Sequence, residues 1–237
     1  FVGLGEELRR RRGAVQDADL RHEVVGVLGA RMHRDGFVRG LLRQRLGQNL
    51  APEAIAKLHI TASQWYETNG LMLEAFRHAA AANDLERAER LIESKAMRLH
   101  YHTVTTAILK WLDALPQPAL DARPLLRVRS ATLALMAGRT TGVEEKLLAA
   151  ERCLPAGEAD ANTRSLIGQI ACARATLALT RYDPQTMRSQ ALRALQYLPP
   201  DNVTFLFTAN WALASACFLQ GDRAGSARAC QDALVFS

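Results

Sequence analysis

The sequence predicts an all-α fold, a superhelix of antiparallel helix pairs preceded by a small segment of different character. Three observations predict it. From Glu53 onward, apolar residues recur at helical spacing and no stretch alternates convincingly like a strand. Turn-forming residues interrupt these runs at Gly70, Asn83-Asp84, Pro116 with Pro118, Gly138, Pro155 to Gly157, Asp183-Pro184, Pro199-Pro200 and Gly221-Asp222. Around four of these turns the same pattern of residues recurs.

Residues 1–50 read differently from the rest. "HEVVGVLGARMH" combines a β-branched run with two glycines, which suits strands or a wing-like hairpin. "FVRGLLRQRL" follows as an amphipathic helix, with Phe37, Leu41 and Leu42 on one side and arginines on the other. Together they predict the C-terminal part of a winged-helix-like module. Asn49 to Pro52 is the expected linker, because Pro52 suits the first turn of a new helix. Residues 51–237 then form the helical repeat domain. Its helices are predicted at 53–68, 71–82, 85–99, 103–115, 123–137, 141–153, 162–181, 185–197, 202–220 and 223–236, joined by short turns into antiparallel hairpins.

The hairpins repeat. "ALMAGRTTGVEEKLLAAERCL", "LALTRYDPQTMRSQALRALQYL" and "ACFLQGDRAGSARACQDALVF" each end one helix, turn, and start a second helix rich in small residues. The turns at 83, 138, 182 and 221 are 55, 44 and 39 residues apart, approaching the period of tetratricopeptide-like (TPR-like) helix pairs. Ala131, Ala175 and Ala214 recur about seven positions before the turn, where a small side chain lets paired helices approach closely. One pair cannot bury its apolar face alone, so stacking is required.

Composition is that of an ordinary globular protein, with 49% hydrophobic and 23% charged residues. No apolar run is long enough for a membrane span. Four widely spaced cysteines, without a CxxC pair, are expected to be small buried residues in a reducing cytosol. Residue 1 is Phe and the last residues stop inside a helical pattern, so a segment of a longer protein is expected. No signal peptide is visible, and the expected location is cytoplasmic. The net charge of +6 is concentrated early, from the arginine run 9–12 onward. A solvated arginine-rich face is the expected meaning, since no aromatics are interleaved for base stacking.

Three stretches together carry a resemblance. "GFVRGLLRQRL" is similar to the basic helix that closes the winged-helix module of the MalT-type large ATP-dependent LuxR-family transcriptional regulators. "LHITASQWYETNGLMLEAFRHAAAANDLERAERLIE" resembles the first helices of their repeat region. "TTAILKWLDALPQPALDARPLLRVRSATLALMAGR" resembles the linker and repeat that follow, with Trp111-Leu112-Asp113-Ala114-Leu115-Pro116 its most specific element. The resemblance spans roughly residues 30 to 235. It implies part of a signal-responsive transcription activator, with an ATP-binding module upstream and a DNA-binding helix-turn-helix module downstream. No cofactor is expected in this segment, and DNA is expected to be contacted only through that downstream module.

Within the chain no phosphate loop of the GxxxxGK[ST] kind and no nucleophile elbow occurs, so no catalytic residue is expected and the chain is not read as an enzyme. His100 and His102 point to different helix faces and lack further ligands, so no metal site is expected. Trp65 and Tyr66 are expected in the core. Trp111, set among Ile108, Leu109, Leu112 and Leu115, is expected to pack as a staple. The candidate binding surface is a stripe at the third pair: Trp211, Ser215 and Phe218. Its equivalents are Cys172, Thr176 and Leu179, then Val128, Thr132 and Leu135. Such a stripe tends to line the concave wall of stacked helix pairs. Trp211 would offer an aromatic platform, Phe218 an apolar neighbour, and Ser215, Thr176 and Thr132 hydrogen-bonding groups for a sugar-like or planar-faced ligand. The function read from these features is that of an effector- or partner-binding region, taking a small-molecule inducer or a regulatory protein. The alternative is a scaffold for protein partners with no small-molecule effector. A third reading is nucleic-acid binding through the basic first fifty residues.

Overall fold

The computed structural model describes residues 51–94, 97, 101–155 and 160–235. The winged-helix-like segment expected over residues 1–50 lies outside them. The described residues form eleven helices and no strand, so the all-α helical repeat predicted from the sequence is the fold observed. They fall into two compact units that divide between Tyr101 and His102.

The first unit holds α1 (Pro52–Thr68), α2 (Met72–Ala81) and α3 (Leu85–Glu93). Pro52 opens α1 after an extended Ala51, at a position where its missing N–H costs nothing. Helix α2 packs against both neighbours. Its face of Ala75, Phe76 and Ala79 meets Ala88, Leu91 and Ile92, all essentially excluded from solvent. The buried Ser63 hydroxyl donates to the Ala75 carbonyl at 2.8 Å, which ties α1 to the start of α2. Glu67 accepts from Arg87 at 2.8 Å and from Arg90, and the Arg90 hydrogen bond holds its carboxyl below the usual range. Trp65 is not core as expected: it stands at the surface with its ring edge-on to the half-buried Tyr66, which stacks on His78 instead. Helix α3 stops at Glu93 rather than near 99, because Ser94 turns extended and its hydroxyl bonds the Leu91 carbonyl.

The second unit holds α4 (Tyr101–Ala114), α5 (Gln117–Asp121) and three helix pairs: α6 (Pro124–Met136) with α7 (Val143–Arg152), α8 (Ala161–Thr180) with α9 (Pro184–Tyr197), and α10 (Val203–Leu219) with α11 (Arg223–Leu234). The first member of each pair is called its A helix and the second its B helix. Helix α5 is a short turn of helix where the sequence predicted only a break. Pro116 caps it and Pro118 sits in its first turn, where proline is tolerated. Ile108, Leu109 and Leu112 of α4 are buried as expected, but Trp111 beside them is only half-buried. Truncating it therefore costs less than the loss of a fully buried aromatic ring.

Each A helix packs on its own B helix and on the next A helix, and each B helix also packs on the next A helix. A helices approach one another more closely than B helices do, which places them on the inner side of the array. Ala131, Ala175 and Ala214, the small residues expected at the close approach, are all buried. Between pairs, Ala175, Ala191 and Ala212 form one small cluster, and Ala178, Met187 and Ala216 another. Arg174 on α8 reaches back to α7, pairing with Glu144 at 2.9 Å and Glu151 at 2.8 Å. Its hydrogen bond to Glu151 holds that carboxyl below the usual carboxylate range.

The turns show why the hairpins are so tight. The four positions read as turns all carry positive φ: 55° at Asn83, 73° at Gly138, 53° at Tyr182 and 79° at Gly221. After Asn83, Tyr182 and Gly221 comes an Asp with two roles. Its N–H donates back to the carbonyl five residues earlier, as from Asp183 to Ala178 at 3.1 Å, closing a Schellman motif. Its carboxylate caps the next helix, with Asp84 accepting from Arg87, Asp183 from Thr186 and Asp222 from Gly225. One residue thus ends one helix and starts the next.

Tyr182 carries a Cβ in a conformation that favours glycine, and its ring is 78% exposed. The left-handed conformation costs about 1–2 kcal/mol, against roughly 0.4–1 kcal/mol of extra chain entropy for glycine in the unfolded state. Tyr182→Gly is therefore expected to stabilise the protein by roughly 0.5–1 kcal/mol. The check is the midpoint of urea unfolding, and a midpoint below that of the parent would contradict it.

Candidate functional site

Aligned on their positive-φ turn residues, the pairs share one register along the inner wall. Thr132, Thr176 and Ser215 fall at one position of α6, α8 and α10, and Leu135, Leu179 and Phe218 at another. The three hydroxyl residues are all half-buried. Each donates to the carbonyl four residues earlier on its own helix: Thr132 to Val128 at 2.9 Å, Thr176 to Cys172 at 3.0 Å, Ser215 to Trp211 at 2.9 Å. This is the usual resting state of a hydroxyl in a helix, and it leaves the oxygen's acceptor side for another donor. Leu135 and Leu179 are half-buried, whereas Phe218 is 70% exposed. The inner wall thus carries a row of hydroxyl oxygens beside an apolar row.

Trp211 stands on a row of another kind. Its equivalents Cys172 and Val128 are buried, while Trp211 is 47% exposed. Cys172 lies in a cluster with Phe205 and Leu206 of the next A helix and donates weakly to the Phe205 carbonyl. Its burial pushes the thiol up to about 12. That row meets the following pair wherever one is present. The B helices agree: Met187 and Ala191 of α9 are fully buried, whereas the matching Ser226 and Cys230 of α11 are half-buried and exposed. Cys230 and the half-buried Cys153 correct the expectation that all four cysteines are buried.

Two buried arginines escaped the sequence reading. Arg129 is 1% exposed; its Nη2 donates to Gln169 of α8 at 3.3 Å and its guanidinium lies over the Phe205 ring of α10 at 5.2 Å. Arg127 is 7% exposed. Its Nη2 donates to Gln117 at 3.1 Å and pairs with Asp121. A signal was available. In the next two A helices the matching residues are Ala171 and Ala173, then Asn210 and Ala212, all buried. Arginine at a position otherwise held by small or amide side chains marks a buried charge with a purpose.

Arg127 forms part of an open cleft of about 600 Å3, also lined by Gln117 and Asp121 of α5 and by Glu145, Lys146 and Arg152 of α7. Lys146 Nζ donates to Ser130 at 2.8 Å. Among the described residues no group of three or more His, Cys, Asp or Glu is placed to hold a metal ion. His100 and the His102 side chain lie outside those residues. No described helix is long and apolar enough to cross a membrane.

Fold and surfaces together define a helical repeat protein with an inner wall and a polar cleft. Over 161 residues, 68% of its length, the chain is 32% identical to the HTH-type transcriptional regulator MalT of Cronobacter sakazakii, covering 17% of that protein. Over 74 residues, 31% of its length, it is 35% identical to the serine/threonine-protein kinase PknK of Mycobacterium tuberculosis and of Mycobacterium bovis, covering 7% of each. The chain thus spans less than a fifth of the length of the curated relatives it matches. No family model matches the chain, and no solved structure does. The longer of these two similarities relates the chain by sequence to a transcriptional regulator.

Proposed function

We propose that this chain is the effector- or partner-binding repeat region of a signal-responsive, LuxR-type transcriptional activator of the MalT kind, acting in the cytoplasm. The observation that carries the reading is the register of the inner wall. Three half-buried hydroxyls recur at one position of three stacked helices, each donating its proton to its own helix, beside an apolar row that includes Phe218. Such a surface suits a neutral polyhydroxylated ligand, whose O–H groups donate to Thr132, Thr176 and Ser215 while an apolar face lies on Phe218 and Trp211. The similarity to a transcriptional regulator supports the regulatory context. ATP is assigned to an upstream module and DNA to a downstream helix-turn-helix module, neither in this chain. A ligand of the wall switches the regulator only if it binds one arrangement of the whole protein better than another.

A second reading has its own observation. The row to which Trp211 belongs packs against a following helix at Cys172, so at Trp211 it is shaped to receive a helix, which a protein partner could supply. This is the scaffold alternative. The experiment is a thermal-shift screen against neutral mono- and oligosaccharides, followed by calorimetry with any that raise the melting temperature. Phe218→Ala and Trp211→Ala are expected to weaken such a sugar by about five- to 150-fold, the equivalent of roughly 1–3 kcal/mol of stacking. The Phe218 ring is 70% exposed, so its truncation should hardly move the melting temperature without ligand. Affinities unchanged by both variants would remove the ligand from the wall. A screen in which no sugar binds would favour the scaffold.

A further inference from the structure

We propose that the cleft between α5, α6 and α7 is a second binding site, for a small hydroxy acid held through its carboxylate by Arg127. Its residues are distinct from the two inner-wall rows, and it stands whether or not those rows bind a ligand. Arg127 is the centre of it. Its side chain is more than nine-tenths buried, yet among the described residues one of its nitrogens alone is engaged: Nη2 serves Gln117 and Asp121, whereas the buried Nε and Nη1 find no partner there. A buried guanidinium with unmet donors is costly unless something completes it. The cleft that Arg127 lines, about 600 Å3, is where such an acceptor would enter, and that volume is within the range of small-molecule sites.

The rest of the lining selects the ligand. Arg152 at the mouth is exposed and makes no ion pair among the described residues. Lys146 contributes a second cation, held by Ser130 and paired with Asp113 at 3.6 Å. Among the residues that line the cleft these three cations face Asp121 and Glu145, and with Asp113 beside it the surroundings are close to neutral. A monoanionic carboxylate can pair with Arg127 at little repulsion there, whereas a dianionic phosphate would set two charges against Asp121 and Glu145. Those carboxylates, with the Gln117 amide, instead supply acceptors for a hydroxyl on the ligand. Arginine suits the task because its donors are fixed in a plane and its charge is permanent.

The experiment follows the side-chain N–H resonances of arginine by NMR in the full 237-residue chain. Sodium L-lactate is titrated against sodium chloride at matched ionic strength, with sodium phosphate in a parallel arm. Saturable shifts with lactate that chloride does not produce are expected, and Arg127→Met should abolish them. Arg152→Ala, at the exposed mouth, should weaken binding roughly two- to fivefold. Glu145→Gln should tighten it by removing a like charge. If Arg127→Met fails to fold, the opposite effects of these two surface variants decide the matter. Identical responses to lactate and chloride would overturn the site. Tighter binding of phosphate than of lactate would overturn the ligand class.

Discussion

Arg129→Ala is expected to cost the repeat about 2–5 kcal/mol. The side chain belongs to the first helix pair, bonds Gln169 of the second and lies over Phe205 of the third. Its truncation opens a cavity where three A helices meet, leaves the Gln169 amide without that donor and removes the cation from the ring face. The loss is tempered because the variant no longer holds a charge away from water. Arg129→Met separates the two contributions. A well-packed apolar chain of similar length often replaces a buried charge at little net cost, so it should retain most of the stability that alanine loses. For a protein of this size each kcal/mol lowers the melting midpoint by about 2–4 °C. An alanine variant within about 1 kcal/mol of the parent would show that the junction does not depend on Arg129.

Gly168→Val is expected to destabilise by about 1–3 kcal/mol, as for an overpacked core. Gly168 sits inside α8, where glycine normally weakens a helix by roughly 1 kcal/mol relative to alanine. The reason for it is contact. A Cβ at this position would lie 2.8 Å from Leu198 Cγ and 3.0 Å from the Leu198 backbone nitrogen. Leu198 ends α9 and packs with Ala171, Cys172, Phe205 and Leu206, so it cannot retreat without disturbing the interface between the second and third pairs. Gly168→Ala is the sharper comparison, because helix propensity and crowding then oppose each other. If urea unfolding shows the alanine variant more stable than the parent, the backbone yields easily and the close approach is not required.

Features set by local chemistry were legible in the sequence. Asn83, Gly138 and Gly221 announce left-handed turns because such residues tolerate positive φ. Tyr182 does not, and its turn was readable only from the Asp183-Pro184 that follows. The recurrence of alanine seven residues before the turns at Gly138, Tyr182 and Gly221 identified the helix faces in contact. The register of Thr132, Thr176 and Ser215 could be read for the same reason, since helical period and turn position are both local properties.

Burial was the part that could not be read. Trp65 and Trp111 sit among apolar neighbours at helical spacing, yet one is exposed and the other half-buried. Arg127 and Arg129, the residues with the most polar atoms in α6, are instead among the buried ones. Cys172 and Trp211 occupy the same position in successive repeats and differ in exposure because a following A helix covers the first. The sequence by itself determined the helices, their turns, their pairing and the register of the repeat, because each follows from backbone preferences over a few residues. Only the tertiary structure decided which faces are covered, where a buried arginine finds its partners and where a cleft is left open. Those depend on side chains brought together from 40 residues apart, as Arg129 and Gln169 are.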